Sequence, residues 1–334
     1  MNKIFSIIIP VYNGAGVVER ALDSIYSQDL SFDEFEIICV DDCSPTLDTY
    51  DALYRYKYNG EHPSNLIVER HLENQRQGGA RNSGLKLATG NWILYLDHDD
   101  VYDGGSLLEL RKAIGLYEQC DIIMFDYKQT EKGRLKNTSV YSKSGFYTEI
   151  MCGTDFIQKF PVPYGPVFYL FKREFLISTG LRFVEGVRFE DADYVIHATM
   201  LARNITFVPI VVYHYLITQN TTSSIGTDIV KQSEQMFLCS RIGDIVNEFW
   251  HKHTPAAKAV LRHYDFLYKD LLKRTLWRLS FNDICRLLEK YPLCKHSEDR
   301  IIKITDTYPW MYAVVAQIVR PFMFCILSLK KRQV

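Results

Sequence analysis

The chain has 334 residues, 47% of them hydrophobic and 24% charged, which excludes intrinsic disorder and suffices for one large domain or one domain with an appendage. The formal net charge of −1 hides a split: from Lys231 onward 18 Lys and Arg face 10 Asp and Glu, and before it 21 face 30. An acidic front argues against nucleic acid as a partner, and a basic back suits an anionic membrane surface as well as it suits solvated helix faces.

The first hundred residues alternate strand and helix patterns. Phe5 to Ile9 is a β-branched run that stops at Pro10, the pattern of a buried strand. Asn13-Gly14 marks a turn, and apolar residues four apart (Val17, Ala21, Ile25 and Val18, Leu22, Tyr26) predict a helix. A strand from Phe35 to Val40, a helix from about Leu47 to Tyr56, a strand from Leu66 to Glu69, a helix from Gly79 to Ala88 and a strand from Trp92 to Leu96 follow. Such alternation implies a parallel sheet with helices on both faces, and ligands bind such sheets at the carboxyl ends of the strands. Three polar clusters fall at those ends: Pro10-Val11-Tyr12-Asn13, Asp41-Asp42-Cys43-Ser44 and Asp97-His98-Asp99-Asp100.

Farther along, a helix is expected from about Ser106. Asp121–Tyr127, Tyr164–Phe171 and Ile205–Tyr215 read as extended, and Lys172–Thr179 and Asp191–Arg203 as helical. From Asp228 the pattern is helical, notably Asp228–Trp250 and Ala256–Leu279, with a soft boundary near Ile225-Gly226. The apolar segment Trp310–Leu329 is interrupted by Gln317, Arg320 and Pro321 and trailed by Lys330-Lys331-Arg332. It fits an interfacial membrane helix better than a spanning one, and a buried terminal helix equally. The eight cysteines show no C-x-x-C spacing, which argues against a thiolate zinc site. Ile4–Ile9 is too short for a signal-peptide core, so a cytoplasmic location is expected, with peripheral contact on the inner face of the cell membrane as an extension.

Carboxylates at alternate positions after a strand, as in Asp97-His98-Asp99, can converge on one hard cation. Magnesium or manganese takes oxygen ligands and leaves positions open for phosphate oxygens. The other reading of this turn is an acidic helix cap. Asp41 and Asp42 can accept hydrogen bonds from a nucleoside or simply shape a turn. Arg81, in Gln77-Gly78-Gly79-Ala80-Arg81-Asn82, offers a fork either to a ligand or to an acid of the site. In Glu190-Asp191, one carboxylate can serve as a general base or cap the next helix.

Taken in order, Pro10-Val11-Tyr12-Asn13, Val40-Asp41-Asp42-Cys43-Ser44, Gly79-Ala80-Arg81-Asn82-Ser83-Gly84, Leu96-Asp97-His98-Asp99-Asp100 and Glu190-Asp191 resemble the motifs of family 2 glycosyltransferases. Phe171-Lys172-Arg173-Glu174-Phe175-Leu176 and Gly180-Leu181-Arg182-Phe183 look like the bacterial cell-surface polysaccharide members. The resemblance covers about Ile4 to Ser224. It implies an α/β fold of the glycosyltransferase A type, with a nucleotide-binding half (1–100), a mixed acceptor-binding half (101–225) and a helical C-terminal extension (226–334). It also implies inverting transfer from a nucleoside diphosphate sugar, UDP being the favoured nucleotide, to a saccharide or lipid-linked saccharide, with Mn2+ or Mg2+.

By the same resemblance Pro10, Tyr12 and Asp42 lie at the nucleoside, and Asn13, Asp41 and Arg81 are further candidates for binding the donor. Asp97 and Asp99 lie at the diphosphate and metal, with Asp99 the direct ligand; Asp191 is the base and Glu190 its support. A Trp common in the acceptor segment is replaced here by the run Pro166-Val167-Phe168-Tyr169, which leaves the acceptor open. His214 is either a contributor to the metal site or a packed strand residue. The competing function classes are an NAD-dependent oxidoreductase and a non-catalytic sugar-nucleotide binder. The first needs a third glycine where Glu19 stands in Gly14-Ala15-Gly16-Val17-Val18-Glu19. The second should lack the acids that are all present.

Overall fold

The computed structural model describes residues 3–59, 65–137, 142, 145, 148–217, 229–274, 278–291 and 293–319. The chain forms two compact units, Met1–Thr221 and Thr222–Val334. The expected boundary at Ile225-Gly226 lies outside the described residues.

The first unit runs β1 (Phe5–Val11), α1 (Val18–Tyr26), β2 (Phe35–Asp41), α2 (Asp48–Asn59), β3 (Leu66–Arg70), α3 (Arg76–Leu87), β4 (Trp92–Tyr95), β5 (Val101–Tyr102), α4 (Ser106–Leu116), β6 (Ile122–Glu131), β7 (Arg134–Asn137), α5 (Gly153–Lys159), β8 (Tyr169–Lys172), α6 (Arg173–Thr179), α7 (Asp191–Leu201) and β9 (Ile205–Ile217). The strand order is β3-β2-β1-β4-β8-β6-β9-β5, with β7 beside β6. β1, β2, β3 and β4 pair in parallel, and every residue of β1, β2 and β4 is buried, as a sheet covered on both faces requires. Beyond β4 the sheet turns mixed: β8 is antiparallel to β4 and β6, whereas β6 and β9 are parallel. The fold is therefore the mixed α/β sheet expected.

β1 does not stop at Pro10, which pairs with Val40 and is followed by Val11 opposite Asp41. The reason is local. Pairing of β1 with β4 ends at Ile8 opposite Tyr95, and the Leu96 N–H donates to the Ile8 carbonyl. Pro10 faces the same side as Ile8, beyond the end of that ladder, so its missing N–H costs no sheet bond. Further differences are the short β5 and β7, the helix α5, and a 3-10 turn at Pro166–Phe168 where an extended run was expected.

α3 lies close on the sheet. A Cβ at Gly84 would stand 2.4 Å from Ile8 Cγ2, and one at Gly78 would stand 2.5 Å from the Val184 carbonyl oxygen. Glycine at these two positions lets α3 touch the sheet on one side and the 181–186 segment on the other. Asn82 fastens that segment: its Nδ2 donates to the Phe183 carbonyl and to Glu185 Oε1, both 2.9 Å, and its Oδ1 accepts from the Phe183 N–H at 3.0 Å.

The second unit comprises α8 (Ile229–Phe249), α9 (Thr254–Arg274), α10 (Phe281–Lys290), α11 (Arg300–Thr307) and a further helix over 309–319. α8 and α9 pack together along buried Cys239, Ile242, Val246, Val260 and Tyr264. Ser280 and Asp299 cap α10 and α11 through their side-chain oxygens. Tyr312 donates to the Leu272 carbonyl at 2.5 Å and fixes the helix over 309–319 to α9. The outer face of that helix shows Trp310, Val314 and Ile318, the first 56% and the last 62% exposed.

Candidate active site

The carboxyl ends of β1, β2 and β4 converge on one edge, and each polar cluster is held there by identifiable bonds. After β1, Asn13 adopts a positive φ of 54° and its N–H donates to Ser44 Oγ at 2.9 Å. The Gly14 N–H donates to Thr49 Oγ1 at 3.0 Å. Tyr12, between the strand and this anchored turn, is 46% exposed.

The two neighbouring aspartates differ. Asp41 is fully buried, pairs with Arg70 Nη1 at 2.7 Å, and accepts the Ser44 hydroxyl at 2.5 Å and the Ser44 N–H at 3.1 Å. Both of its oxygens are thus occupied by the chain itself. Asp42 Oδ1 accepts the Gln75 N–H at 2.8 Å and lies 2.8 Å from His71 Nδ1, while His71 Nε2 lies 2.9 Å from Ser83 Oγ. Burial raises the Asp42 pKa, and the Gln75 N–H and His71 oppose it.

After β4 the chain turns through Asp97-His98-Asp99-Asp100, closed by the Asp100 N–H donating to the Asp97 carbonyl at 3.0 Å. Arg20 of α1 donates to the Asp99 carbonyl at 2.7 Å. Burial raises the Asp99 pKa; His98 lowers it and Asp97 raises it further. Asp100 faces inward and accepts the Tyr213 hydroxyl and, at 2.7 Å, the Leu216 N–H, so β9 grips the end of the turn. The His98 ring lies against the Gly14 turn, with Cδ2 3.0 Å from where a Gly14 Cβ would be. His214 pairs opposite Val101, and its Nε2 lies 2.6 Å from Thr130 Oγ1; burial, then Lys128, lower its pKa. Of its two readings, the packed and hydrogen-bonded one describes this geometry.

Arg81 joins the two halves of the first unit. It is 1% exposed, and its Nη1 contacts Asp191 Oδ1 at 2.6 Å and Glu190 Oε1 at 3.0 Å while its Nη2 contacts Asp97 Oδ1 at 3.0 Å. The guanidinium carbon sits 5.2 Å from the Phe183 ring centroid. Burial works against its charge, but Asp191, Asp97 and Glu190 outweigh burial and hold its pKa above the usual arginine value. Between the ligand and partner roles open to Arg81, its terminal nitrogens take the partner role.

Phe189, with φ 69°, leads into this cluster in a conformation few non-glycine residues adopt. Asp191 is the first residue of α7, the N-cap residue Glu190 makes no side-chain cap, and the Asp191 carboxylate turns to Arg81. The capping role therefore falls away. The Asp191 side chain keeps 33% of its surface exposed. Burial raises its pKa, Arg81 opposes, and Asp97 adds to the rise.

Glu190 is pushed up to about 8 by burial and then by Asp191, against Arg81. That lies above the value of an unfolded glutamate, so the native state keeps a proton that the unfolded chain releases between about pH 4.5 and pH 8. Stability from this group is full below the window and falls as pH rises through it. The urea midpoint is expected to decline from pH 5 to pH 8, and Glu190→Gln to flatten the decline. Parallel slopes for both proteins would show that Glu190 is ionised across the range.

Sequence reasoning missed Arg70, His71 and Tyr213. The first two directly follow the third predicted strand, so the rule of strand carboxyl ends applies to them as well. Asp100 belongs to the polar cluster after the fourth predicted strand, but nothing local marks its partner Tyr213, 113 positions away.

The glycosyl transferase family 2 model matches residues 6–171. The chain belongs to glycosyltransferase family 2. Poly(ribitol-phosphate) beta-glucosyltransferase of Bacillus spizizenii is 32% identical over 213 residues, 64% of this chain and 32% of that protein. The minor teichoic acid biosynthesis protein GgaB of Bacillus subtilis is 34% identical over 105 residues, 31% of this chain and 11% of that protein. The chain thus spans a third or less of the length of these curated relatives. Among solved structures, S. aureus TarS 1-349 in complex with UDP-GlcNAc superposes with a TM-score of 0.65 at 22% identity, covering 86% of this chain and 82% of that one. Mannosyltransferase PcManGT from Pyrobaculum calidifontis, in complex with GDP-Man and Mn2+, gives 0.54 at 17% identity, covering 96% and 87%. At these identities the structures share the fold of this family 2 member. Membership sets aside the NAD-dependent alternative.

Proposed function

We propose that this family 2 member transfers a sugar from a UDP-sugar to a hydroxyl of a saccharide acceptor in cell-surface polysaccharide synthesis, inverting the anomeric carbon. The carrying observation is the Arg81 bridge, which brings Asp191, a half-buried carboxylate, alongside Asp97 of the turn after β4. A proton acceptor and the acids of the diphosphate side thereby share one cluster. Tyr12, Asn13 and Asp42 border the nucleoside at the ends of β1 and β2. Relatives named for poly(ribitol-phosphate) glucosylation and teichoic acid synthesis, and a neighbour holding UDP-GlcNAc, support this choice of acceptor class and nucleotide.

Asp191 accepts the proton of the acceptor hydroxyl as that oxygen forms its bond to the anomeric carbon and the bond to the diphosphate oxygen breaks, through an oxocarbenium-like transition state. Arg81 holds the Asp191 carboxylate in place, and Glu190 shares that cation. Among the described residues no group of three His, Cys, Asp or Glu side chains can hold a metal alone. Asp97 and Asp99 are hard oxygen donors that fit Mn2+ or Mg2+ once donor phosphates and water complete the shell. Such an ion neutralises the charge developing on the leaving diphosphate. A panel of sugar nucleotides with and without Mn2+ tests this reading. One donor is expected to bind and hydrolyse in a metal-dependent way, and Asp99→Ala to weaken that binding tenfold or more. Unchanged manganese dependence in Asp99→Ala ends its assignment as ligand.

A peripheral membrane contact accompanies this proposal. No helix of the described residues is long and apolar enough to cross a membrane. The outward Trp310, Val314 and Ile318 and the basic Lys330-Lys331-Arg332 suit an anionic interface. A chain ending at Pro309 is expected to lose sedimentation with phosphatidylglycerol vesicles; equal sedimentation of both chains counts against the contact.

A further inference from the structure

The Phe171–Leu176 motif lies far from the site just described. Its Lys172 and Arg173 line a cavity of about 760 Å³ together with Ile4, Asn91, Trp92 and the end of α4. Ile4 precedes β1, Trp92 opens β4, and Lys172 closes the antiparallel β8, so the cavity sits at the opposite edge of the sheet. The seven residues of β1 separate the two edges by about 20 Å.

Four cations line this cavity, Arg111, Lys112, Lys172 and Arg173, against the acids Glu118 and Glu174. Three cations already have partners: Arg111 Nε contacts Glu34 at 2.7 Å, Lys112 contacts Glu109 at 2.6 Å, and Lys172 donates to the Glu118 carbonyl at 2.9 Å. Arg173 differs. Its backbone N–H is tied to the Asn91 carbonyl at 2.8 Å, which fixes the residue at the cavity wall. Its Nε is buried without a hydrogen-bond partner, and its guanidinium forms no ion pair among the described residues. The Nε itself is enclosed, but Arg173 is only half-buried, so the rest of its guanidinium can meet an acceptor in the cavity it lines. An arginine fork matches two oxygens of one oxyanion, and the neighbouring lysine adds charge without competing for the geometry.

We propose that this cavity is a second ligand site, separate from the transfer site, that binds a phosphate group through Arg173 with Lys172 beside it. A concave pocket behind the sheet suits the phosphate of a soluble phosphorylated saccharide or polyol rather than a flat lipid surface. The inference stands apart from the transfer reaction, since no residue of either site belongs to the other.

The test is titration calorimetry with inorganic phosphate and with glycerol 3-phosphate, in the presence of saturating UDP, on the full chain and on Arg173→Gln and Arg173→Lys. Saturable binding near one per chain is expected for both probes, weakened tenfold or more in Arg173→Gln and less in Arg173→Lys, with UDP binding unchanged. The melting temperature of Arg173→Gln without phosphate should equal or exceed that of the wild type, because the orphaned donor is gone. Absence of saturable binding, or equal binding by Arg173→Gln, overturns the proposal. So does an Arg173-dependent association found with phosphatidylglycerol vesicles and with neither soluble probe.

Discussion

Asp191→Asn is expected to bind the donor within about twofold of wild type and to transfer it about 10²–10⁴-fold more slowly, the range typical of a lost general base. Asparagine keeps an oxygen that can accept the Arg81 Nη1 donor, which lies 2.6 Å from Asp191 Oδ1 in the wild type. The cluster geometry should therefore survive while proton acceptance does not. The raised pKa of Asp191 sharpens the expectation, because a stronger base is what the variant forfeits. Steady-state transfer and equilibrium donor binding, measured on the same preparation, separate the two effects. Full transfer by Asp191→Asn would remove Asp191 as the base, and a parallel loss of donor binding would make it a donor ligand instead.

Arg81→Leu carries the second large effect. Asp97, Glu190 and Asp191 all lean on this one guanidinium, which is buried on every side. Its removal leaves carboxylates without their counter-ion, and breaking a buried pair from one side costs about 3–5 kcal/mol. The loss should depend on pH. Arg81 lowers the Glu190 pKa, so without it that value rises above about 8 and the variant retains protons that the wild type gives up as pH rises. Urea unfolding at pH 6 and pH 9 is thus expected to show a larger loss at pH 9. Arg81→Lys should fall between, since one ammonium cannot reach three carboxylates with the geometry of a planar fork. A loss below about 1 kcal/mol at both pH values would mean that water or rearrangement replaces the guanidinium, and that the bridge does not organise the site.

The alternation that placed β1, β2, β3 and β4 was legible because each is a short apolar run flanked by turn residues, and burial on both faces demands that composition. Their carboxyl ends followed from the same pattern, which is why Tyr12, Asp42 and Asp97 could be singled out without coordinates. The second half of the first unit was harder to read. β5 has two residues and β7 four, too short for a period to show. α5 at Gly153–Lys159 has seven residues, barely two turns. Pro166–Phe168 reads as extended by composition and folds as a 3-10 turn, because Pro166 stands where a helical turn tolerates its missing N–H.

Local pattern determined where the parallel strands lie, that the polar clusters gather at one edge, and that the later chain is helical. Only the tertiary structure decided what each polar residue does there. Asp41 and Asp42 are adjacent and chemically alike, yet one is consumed by Arg70 and Ser44 while the other is oriented by His71 and Gln75. Asp191 could have capped its helix, and it turns to Arg81 because that guanidinium, 110 positions away in the chain, lies within reach. Periodicity reports which face of an element is buried. It carries nothing about which distant side chain arrives on the other face, and in a buried cluster that arrival sets both the charge and the chemistry.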